Sequence, residues 1–457
     1  MRPTPALRAL ALLAVVLLPG PASAGPQGPD EKSSRISDAA VAHIEPDDFP
    51  ARPRPLLELG SRFLGTGTLR SGITLPGGAV WQPQLVVFGT LRSGLHRFET
   101  DGRTAAEWAN RLDLLVNLQL SYTERLLVGF RPLDRDGRFS GYRFEPDDAD
   151  GWQDAGNAEL TTLFFEGDFG ELFPNLDRDD SRSLDLGFAV GRQPLFYQEG
   201  LLVDDSIDAV GITRNTLFPR GGTDLQLTVL AGWNQVDRNG APAPSADLFG
   251  FTAAADFPER TLHADLFLVR GDRDTNGAYW GVSSVQRIGH MNASFRALGS
   301  HALDEESAVV SDGYLLLAEL SWTPAWSHDL VYFNPFVAID RFSPAARGPG
   351  SAGPLGRVGI LFEPGGLGSY EAPLGGELGD MLGAGLGYQW LLAHGRRQVV
   401  VEVGGRKRYR GAAAAAAGVR VQQALGRRLV ARLDGFAVRD ERDEASFGGR
   451  LELRVEF

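Results

Sequence analysis

The sequence predicts an all-β fold, a transmembrane antiparallel β-barrel of about 16 to 18 strands. Short segments that alternate apolar and polar residues recur from Leu57 to the end, separated by Gly, Pro, Asp and Asn. Glycine supplies 57 of the 457 residues, compared with roughly 7% in soluble globular chains. After the first 24 residues, no stretch approaches the about 18 apolar residues of a membrane-spanning helix. These observations favour many strands joined by turns, including strands near 79–92 and 126–144.

Two segments show the alternation most clearly. In "RLDLLVNLQLSY" (111–122), the apolar residues from Leu112 to Leu120 share one face, and Asp113, Asn117 and Gln119 lie on the other. In "YLLLAELSW" (314–322), one face carries aromatic rings at both ends and apolar residues between them. Those rings lie roughly 26 Å apart on an extended strand. With a tilt of about 40° they bracket a band close to the ~25 Å apolar belt of membrane barrels. We therefore expect lipid to cover this face.

The first 55 residues differ from the rest of the chain. Arg2 and Arg8 precede an apolar run from Ala9 to Leu18, and Ala22-Ser23-Ala24 has the pattern of a cleavage site. This arrangement predicts a signal peptide at 1–24. Residues 25–55 are polar and rich in proline, which predicts a disordered periplasmic leader. The barrel is then predicted over 56–457, with an even strand number placing both of its ends on the periplasmic side.

The carboxyl-terminal segment "LELRVEF" predicts the closing strand of the barrel. Leu451, Leu453, Val455 and Phe457 share one face, and charged residues fill the other. A closed barrel pairs every backbone N–H and C=O group within the membrane, so the last strand must pair with the first. We expect the apolar face to contact lipid and the charged face to line the lumen.

This ending resembles the closing strand of Gram-negative outer-membrane barrels. The resemblance implies that Phe457 is an assembly signal read by the barrel-assembly machinery. The segment "LDLGFAVGRQPLFYQEGLLVDDSIDAVGITRN" (184–215) also resembles outer-membrane porins, in particular alginate-export-like channels. The matching positions are Gly191, Arg192, Gln193, Gly200, Asp205 and Asp208. The resemblance implies a location in the cell outer membrane of a Gram-negative bacterium.

The same alternation assigns arginines of the last strands to the lumen. The predicted pore-lining residues are Arg406, Arg408, Arg410, Arg420, Arg432, Arg450 and Arg454. Rings of arginine attract anions in selective pores, and we expect Arg406, Arg408 and Arg410 to contribute most. The alternative is cross-strand pairing with carboxylates that only satisfies a polar lumen. The sequence leaves both interpretations open.

One connection is much longer than the others. Residues 343–377 form a glycine- and proline-rich stretch with an apolar patch from Val358 to Phe362. Connections of this length are usually functional or disordered. It therefore predicts either a constriction that folds into the lumen or a loop on the surface.

Composition excludes several classes of function. The formal net charge of −13 lacks the basic footprint of a nucleic-acid-binding protein, so no nucleic acid is expected as a partner. There is no cysteine, and no motif indicates a cofactor or a metal site. His290, Asn292 and Ser294 share one strand face as a possible catalytic group. Neighbours two apart on a strand are separated by roughly 6.5–7 Å, which exceeds hydrogen-bond reach, so no enzyme is expected.

The predicted function is therefore an outer-membrane channel for passive diffusion of small hydrophilic solutes. An anion preference, for an acidic sugar or an organic anion, would follow from the arginines. The expected partners are outer-membrane lipid, the barrel-assembly machinery and the solute. The alternative is a non-channel outer-membrane barrel that acts as an enzyme or as a structural or adhesive scaffold.

Overall fold

The computed structural model describes residues 54–60, 71–100, 103–135, 137–146, 149–176, 184–238, 241–243, 245–271, 275–307, 309–349, 351, 353–376, 378–441 and 445–457. The predicted signal peptide at 1–24 and the predicted leader up to residue 53 lie outside these ranges. Within them, no helix has the length and hydropathy needed to span a bilayer.

The described residues form a closed antiparallel barrel of 18 strands. This number lies within the predicted range. The strands are β1 (Gln84–Thr100), β2 (Arg103–Gln119), β3 (Arg125–Phe130), β4 (Leu160–Asp168), β5 (Leu186–Tyr197), β6 (Val203–Leu217), β7 (Asp224–Asn234), β8 (Asp247–Phe257), β9 (Arg260–Arg270), β10 (Gly277–Ile288), β11 (Met291–Ala302), β12 (Gly313–Trp322), β13 (Leu330–Asp340), β14 (Met381–Leu392), β15 (Arg397–Arg408), β16 (Ala413–Ala424), β17 (Leu429–Asp440) and β18 (Ser446–Glu456). A four-residue helix, α1 (Phe169–Leu172), follows β4.

The barrel closes between its last and first strands. β18 pairs antiparallel with β1 from Gly448 opposite Phe98 to Glu456 opposite Thr90. Phe457 extends this seam, because its N–H and C=O groups exchange hydrogen bonds of 3.1 and 2.9 Å with Gly89. Below it, the short strand Leu57–Leu59 pairs with residues 85–87 of β1. Three segments of the chain therefore complete the seam.

The wall is irregular at β3 and β4. β3 pairs with the lower half of β2, and a separate segment, Arg138–Glu145, pairs with its upper half. Gly151–Gln153 pairs with this segment, whereas β4 pairs with β3 itself. The alternation predicted a single strand near 126–144. The chain instead leaves the wall between Phe130 and Arg138 and then returns to it.

The bounds of the first strand also differ from the prediction. Alternation placed a strand near 79–92, but β1 runs from Gln84 to Thr100 and β2 from Arg103 to Gln119. The upper half of β1 carries Arg97 and Glu99 on its outer face, and the upper half of β2 carries Glu107 toward the lumen, so both are less apolar than a typical membrane strand. Their sequence signal was therefore weak.

The two ends of the barrel have different connections. Both chain ends, and the short turns at 120–124, 258–259, 289–290, 393–396 and 425–428, lie at one end. The connection between β13 and β14 (341–380), here called the long loop, lies at the other end. Short periplasmic turns and longer extracellular loops are typical of outer-membrane barrels.

Side chains of the closing strands alternate as the sequence predicts. Leu433, Leu451 and Leu453 are 52%, 50% and 44% exposed on the outer face. Arg450 and Glu452, between them on β18, are only 2% and 3% exposed. The outer face is apolar and suits lipid, and the inner face holds the charges.

The long loop folds into the barrel. Its side chains Leu355, Val358, Leu361 and Phe362 are at most 1% exposed. They join inward-facing residues of the wall, including Phe336 on β13, in one continuous apolar cluster. Of the two interpretations of residues 343–377, the structure shows the inward-folded one.

Candidate functional site

The long loop is anchored at its start by β6. Its short strand Ala346–Arg347 runs parallel to β6 beside Val203 and Asp204. The guanidinium of Arg347 donates a 2.8 Å hydrogen bond to the carbonyl of Gly200. Burial lowers the pKa of Arg347 to about 10, so the side chain stays charged at neutral pH.

A buried carboxylate holds the middle of the loop. Glu402 on β15 is fully buried and accepts hydrogen bonds from the backbone N–H groups of Ile360 (2.9 Å) and Leu361 (3.0 Å). The hydroxyl of Tyr332 on β13 donates a third hydrogen bond. A buried carboxylate needs such donors, because it has lost its water. This contact ties the loop to the wall.

The tip of the loop is held by arginines of the seam. The carbonyl of Gly365 accepts hydrogen bonds from Arg450 (2.7 Å) and Arg92 (3.1 Å), and Gly366 accepts one from Arg92 (3.2 Å). The wall makes room for the tip at Gly94, where an added Cβ would lie 2.8 Å from Leu367. Glycine at this position therefore allows the loop to approach β1.

Beyond the tip, the loop contacts the upper seam. The N–H of Ser369 donates a 2.6 Å hydrogen bond to Glu107, and its hydroxyl lies 3.3 Å from Nε2 of His96. The guanidinium of Arg450 lies 5.1 Å from the ring centre of Tyr370, a cation–π contact. Burial raises the pKa of Tyr370 to about 12, so its phenol is neutral at physiological pH.

Between the loop tip and the seam lies a polar cavity of about 410 Å³, here called the seam cavity. The loop contributes Glu363 and the two tip glycines, and β1, β2, β16, β17 and β18 contribute the rest. Its charged lining residues are Arg92, Arg111, Asp113, Glu363, Arg432, Glu452 and Arg454. The cavity combines fixed charges of both signs with an opening to the lumen.

Three arginines follow one another across the strands of this cavity. Arg454 on β18 is opposite Arg92 on β1, and Arg92 is opposite Arg111 on β2. Like charges placed directly opposite each other destabilise a sheet. We call these residues the arginine row. Such a row is tolerated when neighbouring carboxylates or solutes offset the repulsion.

Each arginine of the row has a carboxylate partner. Glu452 pairs with Arg92 at 2.7 Å, Glu456 pairs with Arg454 at 3.0 Å, and Asp113 pairs with both Arg111 and Arg131. Asp434 is shared by Arg420, Arg432 and Arg450 at 2.7–2.9 Å. In the described part of this wall, the ion-paired arginines are Arg92, Arg111, Arg131, Arg420, Arg432, Arg450 and Arg454, and their carboxylates are Asp113, Glu363, Asp434, Glu452 and Glu456. Among these ion-paired groups, arginines outnumber carboxylates.

An apolar patch adjoins the row on the side of the chain ends. Phe88 and Leu115 are opposite each other on β1 and β2, on the same inner face as Arg92 and Asp113. The ring of Phe88 is 36% exposed. Thr90 and Asp113 lie between the patch and the row, so a solute must span about 13 Å along the strands to touch both.

The structure places the predicted pore-lining residues in two groups. Arg420, Arg432, Arg450 and Arg454 belong to the wall of the loop tip and the seam cavity. An added Cβ on Gly375 of the long loop would lie 2.9 Å from Arg406, so Arg406 points toward the loop.

The other two predicted residues lie at the end of the barrel opposite to the chain ends. Arg408 is the exposed last residue of β15, and Arg410 follows in the turn before β16. Arg410 is therefore not a strand residue, because β15 ends before it.

Sequence reasoning missed the arginines of the first strands. Arg92, Arg111 and Arg131 were not predicted, because arginines were assigned to the lumen only in the last strands. The alternation of Arg92, Gly94 and His96 in "LRSGLHRF" could have indicated their face. No local sequence pattern indicates that these arginines lie close to β18.

The possible catalytic group does not assemble. Asn292 and Ser294 lie on β11, and His290 lies in the turn before it. No hydrogen bond connects these three side chains, and the hydroxyl of buried Ser294 has no partner among the described residues. Among all the residues that the structure describes, no group of three or more His, Asp or Glu side chains could hold a metal ion.

The porin-like motif of residues 184–215 contains structural contacts. Arg192 and Asp208 form an ion pair of 2.8 Å between β5 and β6. Gly191 and Gly200 have φ angles of +122° and +77°, which favour glycine. These residues shape the β5–β6 hairpin.

A closed 18-strand barrel with an apolar outer face, a charged lumen and an inward-folded loop has the architecture of an outer-membrane porin. No family model matches the sequence, and no curated protein matches it either.

Solved structures do match. The outer-membrane protein OpdK from Pseudomonas aeruginosa is 13% identical, with 81% of this chain and 98% of that chain covered and a TM-score of 0.53. OccK2 (OpdF) from the same organism, in complex with glucuronate, is 14% identical with a TM-score of 0.52, covering 82% and 98% of the two chains. OpdK with vanillate is 14% identical with a TM-score of 0.50, covering 81% and 98%.

The chain thus has the fold of Gram-negative outer-membrane porins, which supports a location in the outer membrane. The comparisons do not support the narrower resemblance to alginate-export-like channels.

Proposed function

We propose that the protein is an outer-membrane channel for the passive diffusion of small anionic solutes. The observation that carries this proposal is the arginine row beside the seam cavity. It places guanidinium groups, which stay charged at any physiological pH, where the long loop narrows the lumen. Fixed charges at a constriction select the ions that enter.

The acidic composition of the chain does not contradict an anion preference. At physiological salt, charges more than about 8 Å away are largely screened. A solute at the constriction therefore responds to the local wall more than to distant acidic loops. Arginine also binds carboxylates through two parallel hydrogen bonds, which favours carboxylate solutes over halide ions.

The solved neighbours support the same class of solute. Two of them are structures with glucuronate and with vanillate, which are both small carboxylates. Glucuronate is an acidic sugar, and vanillate is an aromatic organic anion. In this chain, Phe88 and Leu115 favour the organic anion, because an apolar ring can cover them whereas a sugar presents hydroxyl groups.

Three further expectations remain proposals. The chain is exported by a signal peptide at residues 1–24, its barrel is inserted by the barrel-assembly machinery through Phe457, and it performs no catalysis. The competing function is a barrel that is closed to solutes and acts as an enzyme or scaffold.

The decisive experiment measures reversal potentials of the refolded protein in a planar bilayer under a KCl gradient. We expect stable conductance steps and anion preference in the wild type. The double variant Arg111→Gln/Arg454→Gln removes two charges of the row and leaves the loop anchors Arg92 and Arg450. Each charge contributes about 1 kcal/mol at about 4 Å in water, so the permeability ratio should fall several-fold.

The matched control is Arg408→Gln/Arg410→Gln, which removes the same charge at the opposite end of the barrel and should change the ratio little. Inserted protein without conductance steps would refute the channel. Cation preference in the wild type would refute the anion preference.

A further inference from the structure

We propose that the barrel wall has a side opening toward the outer leaflet, through which amphipathic carboxylates enter the lumen from the membrane. The opening lies where residues 193–207 at the tips of β5 and β6, here called the inner hairpin, leave the wall. This inference rests on the proposed channel function and adds a second route into the same lumen.

The hydrogen-bonded wall stops partway along β5 and β6. The ladder between β4 and β5 ends at Leu163 opposite Arg192, and the ladder between β6 and β7 ends at Asp208 opposite Asn234. Above these pairs, no residue of the inner hairpin pairs with a described residue of β4 or β7. At membrane depth, strand edges without partners are tolerated only inside the protein or beside a water-filled cavity.

The inner hairpin packs inside the barrel. The strand Ala346–Arg347 of the long loop takes the place of β7 beside Val203 and Asp204 of β6. Leu202, Val203 and Ile207 are fully buried and belong to the apolar cluster inside the barrel. The inner hairpin has therefore bent into the lumen and left its place in the wall.

The chain bends away from β4 at Gly191. This residue has a φ angle of +122°, and an added Cβ would collide with the carbonyl oxygen of Leu163. Glycine therefore permits a conformation that a side chain would prevent. Pro194 follows within the inner hairpin, and proline suits a strand edge because it cannot donate a hydrogen bond to a neighbouring strand. The local sequence thus fits an unpaired edge of β5 above Gly191.

The side opening begins at membrane depth. β5 starts at the periplasmic end of the barrel, and Arg192 is its seventh residue. Arg192 lies about 20 Å along the strand from Leu186, which is about 15 Å along the membrane normal at a tilt of about 40°. The apolar band is ~25 Å tall. The wall therefore opens below the extracellular edge of this band, beside lipid of the outer leaflet.

Charged residues at the base of the opening indicate that water reaches this depth. Val190 and Val210 are opposite each other and are 42% and 38% exposed on the outer face. Arg192 and Asp208 are the next opposite pair on that face, joined by hydrogen bonds of 2.8 and 3.0 Å. Charges that face hydrocarbon are costly, whereas charges beside a water-filled cavity are tolerated. The outer face thus changes from apolar to charged where the inner hairpin begins.

The surfaces along this route define the class of solute. Above Arg192, the same strand face continues with Pro194 and Phe196, which are both exposed. An apolar body partitions into lipid and can slide over these two side chains, while a carboxylate passes the polar base. Inside the lumen, Phe88 and the arginine row offer the same two kinds of contact. An aromatic or alkyl carboxylate therefore fits the whole route.

The test uses the absence of cysteine from the chain, which allows one thiol to be labelled at a chosen site. Phe196→Cys carries a bimane fluorophore on the inner hairpin, in protein reconstituted into phosphatidylcholine vesicles. Doxyl-labelled phosphatidylcholine quenches the fluorophore from lipid, and iodide quenches it from water. We expect both to quench this label, because the side opening joins lipid to the lumen. Pro194→Cys should give the same result from a second site.

Two adjacent residues of β6 supply the matched controls. Ile212 is exposed on the outer face, and Thr213 faces the lumen. Doxyl lipid alone should quench the Ile212→Cys label, and iodide alone should quench the Thr213→Cys label. Heat modifiability establishes that each variant is folded. Quenching of both inner-hairpin labels by iodide alone, or by doxyl lipid alone, overturns the side opening.

A second measurement separates this proposal from the channel function. In single-channel recordings, octanoate, which partitions into lipid, should block the wild type more strongly than acetate. A bulky maleimide on Phe196→Cys should weaken the octanoate block several-fold, and the same maleimide on Glu441→Cys should not. Equal block before and after labelling at Phe196→Cys overturns the side route. Absence of conductance steps refutes the channel function, and the quenching experiment then still decides whether the opening exists.

Discussion

Asp434 sets the local charge of the lumen more than any other carboxylate of the closing strands. Arg420, Arg432 and Arg450 all donate hydrogen bonds to it, at 2.7–3.0 Å. Hydrogen bonds between charged groups are stronger than those between neutral ones. One carboxylate therefore holds three guanidinium groups in place, while Arg420 also pairs with Glu363 and Arg450 also pairs with Glu452. Phe88 adds an apolar contact nearby.

We predict that Phe88→Ser lowers block of the channel by benzoate and leaves block by glucuronate nearly unchanged. Removing a half-exposed ring loses about 1 kcal/mol of apolar contact with the solute. The benzoate blocking constant should therefore weaken about fivefold. Single-channel recordings with each solute measure this. Leu115→Ser should act in the same direction, and Phe447→Ser, on the outer face of β18, should have no effect. Equal changes in the blocking constants of benzoate and glucuronate would show that Phe88 does not distinguish an aromatic anion from an acidic sugar.

Among the elements, the long loop determines the shape of the lumen. It starts beside β6, crosses to Glu402 on β15 and reaches β1, β2 and β18 at its tip. At Glu402 and at the tip, backbone groups of the loop contact side chains of the wall. The loop sequence can therefore be rich in glycine and still have a defined path.

We predict that Glu402→Gln increases single-channel conductance and makes it noisier. The amide nitrogen of glutamine faces the N–H groups of Ile360 and Leu361, so at least one of their hydrogen bonds is lost. A hydrogen bond to a charged group contributes about 1.5–3 kcal/mol, enough to populate a released loop. Glu441→Gln, at an exposed site paired with Lys407, is the control. Unchanged conductance in Glu402→Gln would show that the other contacts between the loop and the wall hold the loop without Glu402.

The whole molecule depends on one seam, where segments from both ends of the chain meet. Phe457 pairs with Gly89, and Leu57–Leu59 covers the part of β1 that β18 does not reach. An open edge in a membrane barrel would leave backbone groups unpaired in lipid, which costs several kcal/mol per group. Arg92 and Glu452 connect the two sides of the seam by a 2.7 Å ion pair.

We predict that deletion of Phe457 reduces insertion into the outer membrane without reducing export to the periplasm. The deletion removes two backbone hydrogen bonds at the seam together with the aromatic group proposed as the assembly signal. Heat-modifiable protein in the outer-membrane fraction measures insertion, and periplasmic antigen measures export. Phe447→Ala removes an aromatic ring from the same strand and serves as the control. A deletion variant that inserts normally would contradict the proposal.

The sequence by itself determined the fold class, the range of strand numbers and the faces of the closing strands. Leu451 and Leu453 face out and Arg450 and Glu452 face in, because side-chain alternation is a local property of an extended chain. The same rule places Arg420, Arg432 and Arg454 on the inner face, and their role in lining a pore stays a prediction. It failed where charged residues weakened the pattern, as in the upper halves of β1 and β2.

Only the tertiary structure decided where the candidate site lies. Arg92 and Glu452 are 360 positions apart in sequence, and the row of Arg454, Arg92 and Arg111 exists only after the barrel closes in one register. Sequence reasoning placed the main charges at Arg406, Arg408 and Arg410, whereas the structure gathers Arg92, Arg111 and Arg454 at the seam cavity. The residues of the long loop likewise did not determine whether it folds into the lumen or lies on the surface. Its carbonyl and N–H groups find partners on β1, β2, β6, β11, β13, β15 and β18, and such pairing depends on the closed wall and not on local sequence.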